Sequence, residues 1–202
     1  YLESKLSVLK MYKSDDNGST WTYLYNTPQF YYTHAAVLNP NNGCVYTSRS
    51  YQDKAWITKT NLITGENTHY YQTYTGILPG ENTQIDTIYY NNKVIQLYNY
   101  KNYTLSRHEC CTIVFNCISD VFESCIIKYG TSEYGGGATS WTTMALKLFV
   151  TSDNLLNMLM YYHGTGGTDN SHKLYLFTSS DTNFTDLNTV KTVNLPSYQS
   201  TN

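Results

Sequence analysis

Side chains able to carry out chemistry are few in this chain and are not grouped along it. The 202 residues include 15 acids, 13 lysines and arginines and five histidines. Most of the acids fall in segments rich in Asn, Ser and Gly, which predict turns where a carboxylate is an ordinary solvated group. Asp86 and Glu109 are exceptions because they fall within strand-like segments. Glycoside hydrolysis needs two carboxylates facing each other across a cleft, so these two acids are its candidates.

Nucleophilic and metal chemistry have weak support in the sequence. No G-x-S-x-G motif occurs, so no serine is placed on the sharp turn that a nucleophile needs. The histidines lack metal-ligand spacing, and the five cysteines include no C-x-x-C pair. We predict buried, reduced thiols, with Cys110 and Cys111 facing opposite sides of a strand. One or two disulfides, or a metal site at 108–110, are the alternatives. No catalytic residue, metal or cofactor is predicted.

The composition predicts an all-β protein. Tyrosine accounts for 22 residues, Thr and Asn are abundant, and Ala and Glu are scarce. Tyr and Thr favour strands, whereas Asn favours turns. The net charge is −2 and the basic residues form no run, which argues against nucleic-acid binding. No apolar run approaches the roughly 20 residues of a membrane span. Because the chain begins with Tyr1, we expect part of a longer or processed product.

Alternating apolar and polar residues, interrupted by turn residues, predict fourteen short strands. They fall into one pair followed by three groups of four. A helix over 151–161 is the alternative to a turn and a strand there, and we prefer the turn and the strand. The predicted strands are 6–13 and 20–25, then 33–38, 44–50, 54–60 and 68–75, then 84–90, 93–100, 111–118 and 124–129, and finally 144–151, 157–163, 173–179 and 189–193.

The most specific motif reads S-x-D-x-G-x-T-W from Ser14 to Trp21. Gly18 can adopt a positive φ, and the side chains of Ser14 and Asp16 can bond the amides of a tight turn. With strand-like runs on both sides, the motif predicts a β-hairpin whose turn is stabilised by Ser14, Asp16 and Thr20. We expect Trp21 to be buried beneath this turn.

This motif resembles the Asp-box, or BNR repeat, of sialidase-like β-propellers. Weaker versions occur at 119–123 and at 179–186, where Asp181 takes the place of the motif's acid, while 60–68 keeps only the turn. Their spacing of roughly fifty to sixty residues is that of propeller blades. The resemblance implies a β-propeller, or part of one, with four-stranded antiparallel blades; an irregular β-sandwich is the alternative. Within one domain over 1–202, the provisional blades are 1–27 (half a blade), 28–78, 79–134 and 135–202.

The resemblance also raises the question of sialidase activity. Sialidases bind the substrate carboxylate with three arginines, and they use a Tyr–Glu pair as nucleophile and an Asp as acid. The chain contains two arginines, Arg49 and Arg107, so sialidase activity is excluded unless another segment supplies a third. The first strand of a propeller blade lines the central channel. This implies that Asp86 lies in the channel and could hold a ligand, with a water-bound channel residue as the alternative.

Five tyrosine clusters are the remaining candidates for function. A tyrosine ring offers an apolar face and a hydrogen-bonding tip, which suits sugars and protein partners. We predict a non-catalytic binding module, on an extracellular or virion surface, that recognises a glycan or protein of a host cell. The alternatives are a structural subunit of a large assembly, which would bind neighbouring subunits, and a fragment of a glycoside hydrolase. The predicted binding residues are Tyr32, Tyr71, Asp86, Tyr90, Tyr100 and Tyr162.

Overall fold

The protein is all β in the ranges that the structure, a computed structural model, describes: 10–26, 33–51, 54–74, 82–102, 107–129, 143–163, 172–181 and 188–195. No helix able to cross a membrane is found in these ranges. The strands are β1 (Lys10–Lys13), β2 (Thr22–Asn26), β3 (Thr33–Asn39), β4 (Cys44–Tyr51), β5 (Lys54–Asn61), β6 (Asn67–Thr73), β7 (Asn82–Tyr90), β8 (Lys93–Asn102), β9 (Arg107–Asn116), β10 (Val121–Tyr129), β11 (Thr143–Val150), β12 (Leu156–His163), β13 (His172–Ser179) and β14 (Asn188–Leu195).

Each of the fourteen predicted strands has a counterpart in the structure. β9 and β10 begin three or four residues earlier than predicted, because strand pairing extends them. Arg107 pairs with Asn102 at the end of β8. The register of β10 against β9 shifts between Phe122 and Ser124, which allows pairing to start before the alternating segment. The preference for a turn and a strand over a helix at 151–161 is confirmed.

Three four-stranded antiparallel sheets, β3–β6, β7–β10 and β11–β14, are meanders in which chain neighbours are also sheet neighbours, and β1 and β2 form a hairpin. The first strands of the sheets lie together, with β7 in contact with both β3 and β11. Successive meanders arranged with their first strands on the inner side are the blades of a β-propeller. The predicted partial propeller of four-stranded blades is therefore confirmed over the irregular β-sandwich.

The meanders have two distinct ends. We call the end at which β3, β7 and β11 begin the leading end, and the end at which they finish the trailing end. The connections that follow the first and third strands of each blade lie at the trailing end. The second and fourth strands finish at the leading end. The position of a residue along its strand thus tells which end of the blades it is near.

The middle blade is packed on both faces. Val94 and Phe115 belong to a buried cluster with Tyr46 of the first blade, whereas Ile95 and Leu97 pack with residues of the third blade. Because both faces are covered, the middle parts of β8 and β9, 94–98 and 110–115, are mainly apolar with one polar residue each. The hydrophobic core of the described chain therefore consists of two interfaces, one between the first and second blades and one between the second and third.

Four cysteines of the described chain are buried and form no disulfide: Cys44, Cys110, Cys111 and Cys117. Cys110 packs toward the third blade and Cys111 toward the first, on opposite faces as predicted. Burial raises the pKa of the Cys117 thiol to about 11, which keeps it protonated and unreactive. The side chains of 108, 109 and Cys125 lie outside the described residues. Among the described ones, no three His, Cys, Asp or Glu side chains cluster as metal ligands do.

The hairpin turn has the hydrogen bonds that its motif predicts. Asp16 Oδ1 accepts the Thr20 N–H and the Ser14 hydroxyl, both at 2.8 Å, and Oδ2 accepts the Thr20 hydroxyl at 2.6 Å. The Ser14 hydroxyl oxygen accepts the Gly18 N–H at 2.7 Å, and Gly18 has a φ of +90°. One carboxylate thus joins the beginning and the end of the turn.

Trp21 is not buried beneath the turn, so that prediction is wrong: 62% of its surface is exposed. Its Cζ2 lies 3.7 Å from the point that a Cβ on Gly18 would occupy, so the ring lies against its own turn on the solvent side. The reason is positional, since β2 begins at Thr22 and strand alternation does not orient the residue before it.

We expect Asp16→Ala to lower the melting temperature at neutral pH and to matter less in acid. The Thr20 hydroxyl, the Thr20 amide and the Ser14 hydroxyl lower the pKa of Asp16 from 3.8 to about 2. The stabilisation is therefore complete above pH 3.8, the unfolded value, and is lost as the pH falls through about 2. Thermal melts of both proteins across this range measure it. Asp153→Ala, exposed in another turn, is the control, and a difference that does not shrink in acid would contradict the prediction.

The turns after the third strands of the first and second blades share a side-chain cap that the sequence motifs do not reveal. Asn61 and Asn116 each accept, through Oδ1, the amide N–H groups two and three residues on, at 2.8–3.2 Å. Four residues after these caps, Gly65 and Asp120 have φ of +74° and +56°. In the third blade, the amide of Asp181 donates to the serine hydroxyl two residues before it at 3.2 Å. The turn therefore recurs as geometry while its residue types vary; 182–187 lie outside the described residues.

Candidate functional site

The topology collects at the leading end residues that are far apart in the sequence. Arg49 pairs with the first residue of β3, and Arg107 is the first residue of β9. His163 and His172 pair with each other across β12 and β13. Glu109 lies two residues into β9 from the same end. Both arginines and four of the five histidines thus belong to strand segments at this end, a grouping that depends on strand direction and not on spacing.

Three of the predicted binding tyrosines also lie toward the leading end. Tyr71, Tyr100 and Tyr162 are within two residues of the points where β6, β8 and β12 finish. Tyr32, which the sequence places just before β3, lies outside the described residues. Backbone position therefore brings a subset of the predicted residues to one end of the blades.

Tyr90 does not fit its predicted binding role, because it lies at the trailing end and is buried. Its ring packs between the second and third blades, and its hydroxyl donates to the carbonyl of Asn154 at 2.6 Å. Tyr89, its neighbour, packs toward the first blade. Adjacent rings lie on opposite faces of a strand, and both pack against a neighbouring blade here because the blade is covered on both faces.

Tyr71 forms an exposed aromatic surface on the first blade. Its ring lies 4.8 Å, centroid to centroid, from that of Trp56, its direct partner across β5 and β6, at an interplanar angle of 33°. The Nζ of Lys54 lies 5.6 Å from the centroid of the Tyr71 ring. An exposed tyrosine backed by a half-buried tryptophan, beside a hydrogen-bond donor, offers both the apolar and the polar contacts that a sugar ring makes.

Asp86 joins the inner strands of the second and third blades. Its Oδ2 accepts the backbone N–H of Leu148 at 2.8 Å, and its Oδ1 accepts a hydrogen bond from Lys147 Nζ at 3.1 Å. The Asp86 side chain is 12% exposed, whereas that of Lys147 is 62% exposed. The acid predicted to hold a ligand is thus engaged by the next blade, and the exposed group at this point is Lys147. Sequence reasoning missed Lys147 because a lone lysine in a strand carries no signal.

Each inner strand has a β-bulge, in which one of its residues has no pairing partner on the neighbouring strand. These residues are His34 in β3, Ile85 in β7 and Leu146 in β11. Such bulges re-aim the side chains around them and are common beside binding sites. Asp86 and Lys147 directly follow the unmatched residues of their strands, so they occupy equivalent positions in adjacent blades.

The bulge in β7 also creates a buried polar cluster between the first two blades. Gln84 and Thr87, three residues apart, would face opposite sides of a regular strand, but the extra residue turns both toward Ser48 of β4. Gln84 Nε2 donates to the hydroxyls of Ser48 and of Thr87, the latter at 2.5 Å, and the two hydroxyl oxygens are 2.7 Å apart. Tyr98 donates to Gln84 Oε1 at 3.4 Å. These bonds fix the inner strand β7 of the second blade against β4 of the first.

An ion pair links the first and second blades at the trailing end. Lys59 Nζ donates to the carboxylate of Asp120 at 2.7 and 3.0 Å, and the Tyr70 hydroxyl donates to it at 2.9 Å. Burial alone would lower the pKa of Lys59, but the bond to Asp120 outweighs it and holds that pKa above its ordinary value. Burial and the same carboxylate raise the pKa of Tyr70. The Asp120 carboxylate thus accepts from both Lys59 and Tyr70 of the first blade, so this cluster is structural.

Comparisons with known proteins relate the chain to carbohydrate-active propellers through its fold. No protein-family model matches it, and no curated protein does. Among solved structures, it is similar to Penicillium chrysogenum α-L-arabinanase complexed with arabinobiose, with a TM-score of 0.58 and 14% identity. It is also similar to the GH93 α-L-arabinofuranosidase of Fusarium graminearum with arabinobiose, with a TM-score of 0.53 and 12% identity.

The similarity extends over nearly all of this chain but not over all of those enzymes. It covers 96% of the chain and 60% of the arabinanase, and 93% of the chain and 57% of the arabinofuranosidase. At these identities the common property is the fold. The chain therefore has the propeller architecture of two glycan-bound enzymes and spans well under two thirds of the length of each.

Proposed function

We propose that this chain is part of a carbohydrate-active β-propeller that binds a neutral oligosaccharide on the inner strands of its blades, between their middle and the leading end. The observation that carries the proposal is the Asp86–Lys147 pair on adjacent inner strands, which places an exposed donor on the inner side of the blades. The exposed Tyr71 near the leading end adds an aromatic side chain suited to a sugar ring. The propeller fold shared with two arabinobiose-bound proteins supports this ligand class.

A neutral ligand fits the charges better than an anionic one. Sialic acid recognition uses several arginines on one carboxylate, and this chain has Arg49 and Arg107 alone. The exposed Lys147 is neutralised by Asp86, so it adds no net positive charge to the inner strands. The host-cell target and the extracellular or virion surface stay predictions that rest on composition.

Hydrolysis by the whole protein is the second candidate, and the names of both similar structures favour it. Two carboxylates facing each other would be needed. Asp86 accepts hydrogen bonds with both oxygens, so Glu109 at the leading end is the better candidate acid.

We expect glycan binding that tolerates salt. On a glycan array that includes arabinobiose, binding to neutral sugars should change by less than about twofold between 0.1 M and 1 M NaCl, a range over which the Debye length falls from about 10 Å to 3 Å. Binding confined to sialylated or sulfated glycans and abolished at high salt would contradict the proposal. Incubation with arabinan tests hydrolysis separately, since release of reducing sugar would select the second candidate.

A further inference from the structure

We propose that Lys147 is a sugar-binding residue on the inner side of the blades, and that Asp86 is the positioning residue that aims its ammonium group. The inference rests on the proposed function and identifies the donor that meets the ligand. It starts from the place of both residues: each directly follows the bulge of an inner strand, in adjacent blades. The β7 and β11 bulges therefore set the two side chains against each other across the blade boundary.

The geometry leaves the carboxylate occupied and the ammonium group available. Asp86 Oδ2 is bonded to the backbone of Leu148 and Oδ1 to Lys147 Nζ, and the side chain is 12% exposed. An ammonium group has three N–H donors. In the part of the chain that the structure describes, the partner of Lys147 is Asp86, which takes one donor. Two N–H donors on a side chain that is 62% exposed remain for a ligand.

Comparison with the other ion pairs separates this lysine from those with structural roles. The lysines of the other described pairs, Lys13, Lys59 and Lys93, are each less than a third exposed. Lys59 shares its carboxylate with Tyr70. The carboxylate on Lys93 is also bonded to Asn116. Among these lysines, only Lys147 has a mostly exposed side chain and a nearly buried partner. The buried carboxylate fixes the direction of the lysine side chain, which remains open to solvent.

The surroundings of the pair select a neutral polyhydroxyl ligand. A charged donor makes shorter and stronger hydrogen bonds to hydroxyl oxygens than a neutral donor does. Because Asp86 cancels its charge, Lys147 gives little preference for a carboxylate or phosphate. Leu146, the partly exposed bulge residue beside it, offers apolar surface for the C–H groups of a sugar ring.

Isothermal titration of the purified protein with arabinobiose tests the assignment. Lys147→Met, which keeps the length of the apolar stem, should weaken binding roughly tenfold to hundredfold, the value of a lost bond to a charged donor. Lys147→Arg should retain part of the affinity. Lys191→Met, on the exposed last strand of the same blade, is the matched control and should bind as the wild type does. Thermal melts confirm that each variant is folded.

A double-mutant cycle separates positioning by Asp86 from general support of the fold. Asp86→Asn should weaken binding in the wild-type background and have no further effect beside Lys147→Met, because it acts through the lysine. An equal loss in both backgrounds would overturn the positioning role. Unchanged binding by Lys147→Met, or an equal loss in Lys191→Met, would overturn the role of Lys147. A wild-type protein that binds neither arabinobiose nor any other neutral sugar of the glycan array would overturn the proposed function and this inference with it.

Discussion

Replacing Phe115 with alanine is expected to destabilise the protein by about 3–5 kcal/mol, the cost of removing a buried aromatic ring from a core. Phe115 is fully buried in the interface between the first and second blades. Its ring centroid is 5.1 Å from those of Tyr70 and Phe122 and 6.1 Å from that of Tyr46. Because these rings come from both blades, the cavity left by alanine cannot close by the movement of one strand.

Chemical denaturation measures this effect as a change in the free energy of unfolding. Ile118→Ala is the matched control, since Ile118 is an apolar residue of the turn that follows the same strand and is mostly exposed. A surface substitution of this kind should change stability by less than about 0.5 kcal/mol. Equal effects of the two substitutions would mean that the blades do not pack against each other through Phe115.

Gln84→Leu is expected to cost about 1–3 kcal/mol, the penalty for removing one partner from a buried hydrogen-bonded group. Leucine keeps most of the volume but removes the donor to Ser48 and Thr87 and the acceptor for Tyr98. These groups are buried, so water cannot replace the lost bonds without opening the interface. The cost should therefore appear although the substitution is more apolar.

Gln72→Leu provides the comparison for this substitution. Gln72 is an exposed residue of β6, and its side chain donates to the carbonyl of Thr73 at 3.2 Å. The same chemical change there should leave stability nearly unaltered. If Gln84→Leu proved neutral or stabilising, the polar cluster would be dispensable and the bulge in β7 would need another explanation.

The fold was largely predictable from local sequence signals. Strands and turns depend largely on neighbouring residues, and Asn91-Asn92 shows this well: two residues able to take positive φ, of 47° and 58°, form the tight turn between β7 and β8. The hydrogen bonds of Asp16 also follow from its motif. The predicted burial of Trp21 is wrong because contact with Gly18, rather than strand alternation, sets the direction of its side chain.

The candidate site was much less predictable, because it depends on long-range pairing. The sequence correctly places Asp86 on an inner strand. Its partner, Lys147, lies 61 residues away, and no local pattern connects the two. The bulges that orient Asp86 and Lys147 appear only in the register between strands. The sequence predicts Tyr90 as a binding residue because it belongs to a tyrosine pair, and no local pattern indicates that a third blade covers its ring.

Amide chemical-shift mapping with arabinobiose tests the central claim most directly, because it reports both whether a sugar binds and at which end. We expect the largest changes along β7 and β11 near Asp86 and Lys147 and in the strand segments of the leading end, in keeping with an inner-strand site. The trailing-end amides of Gly65 and Ile118 should not shift. Changes centred on those turns, or no change at saturating sugar, would contradict a neutral-glycan site on the inner strands.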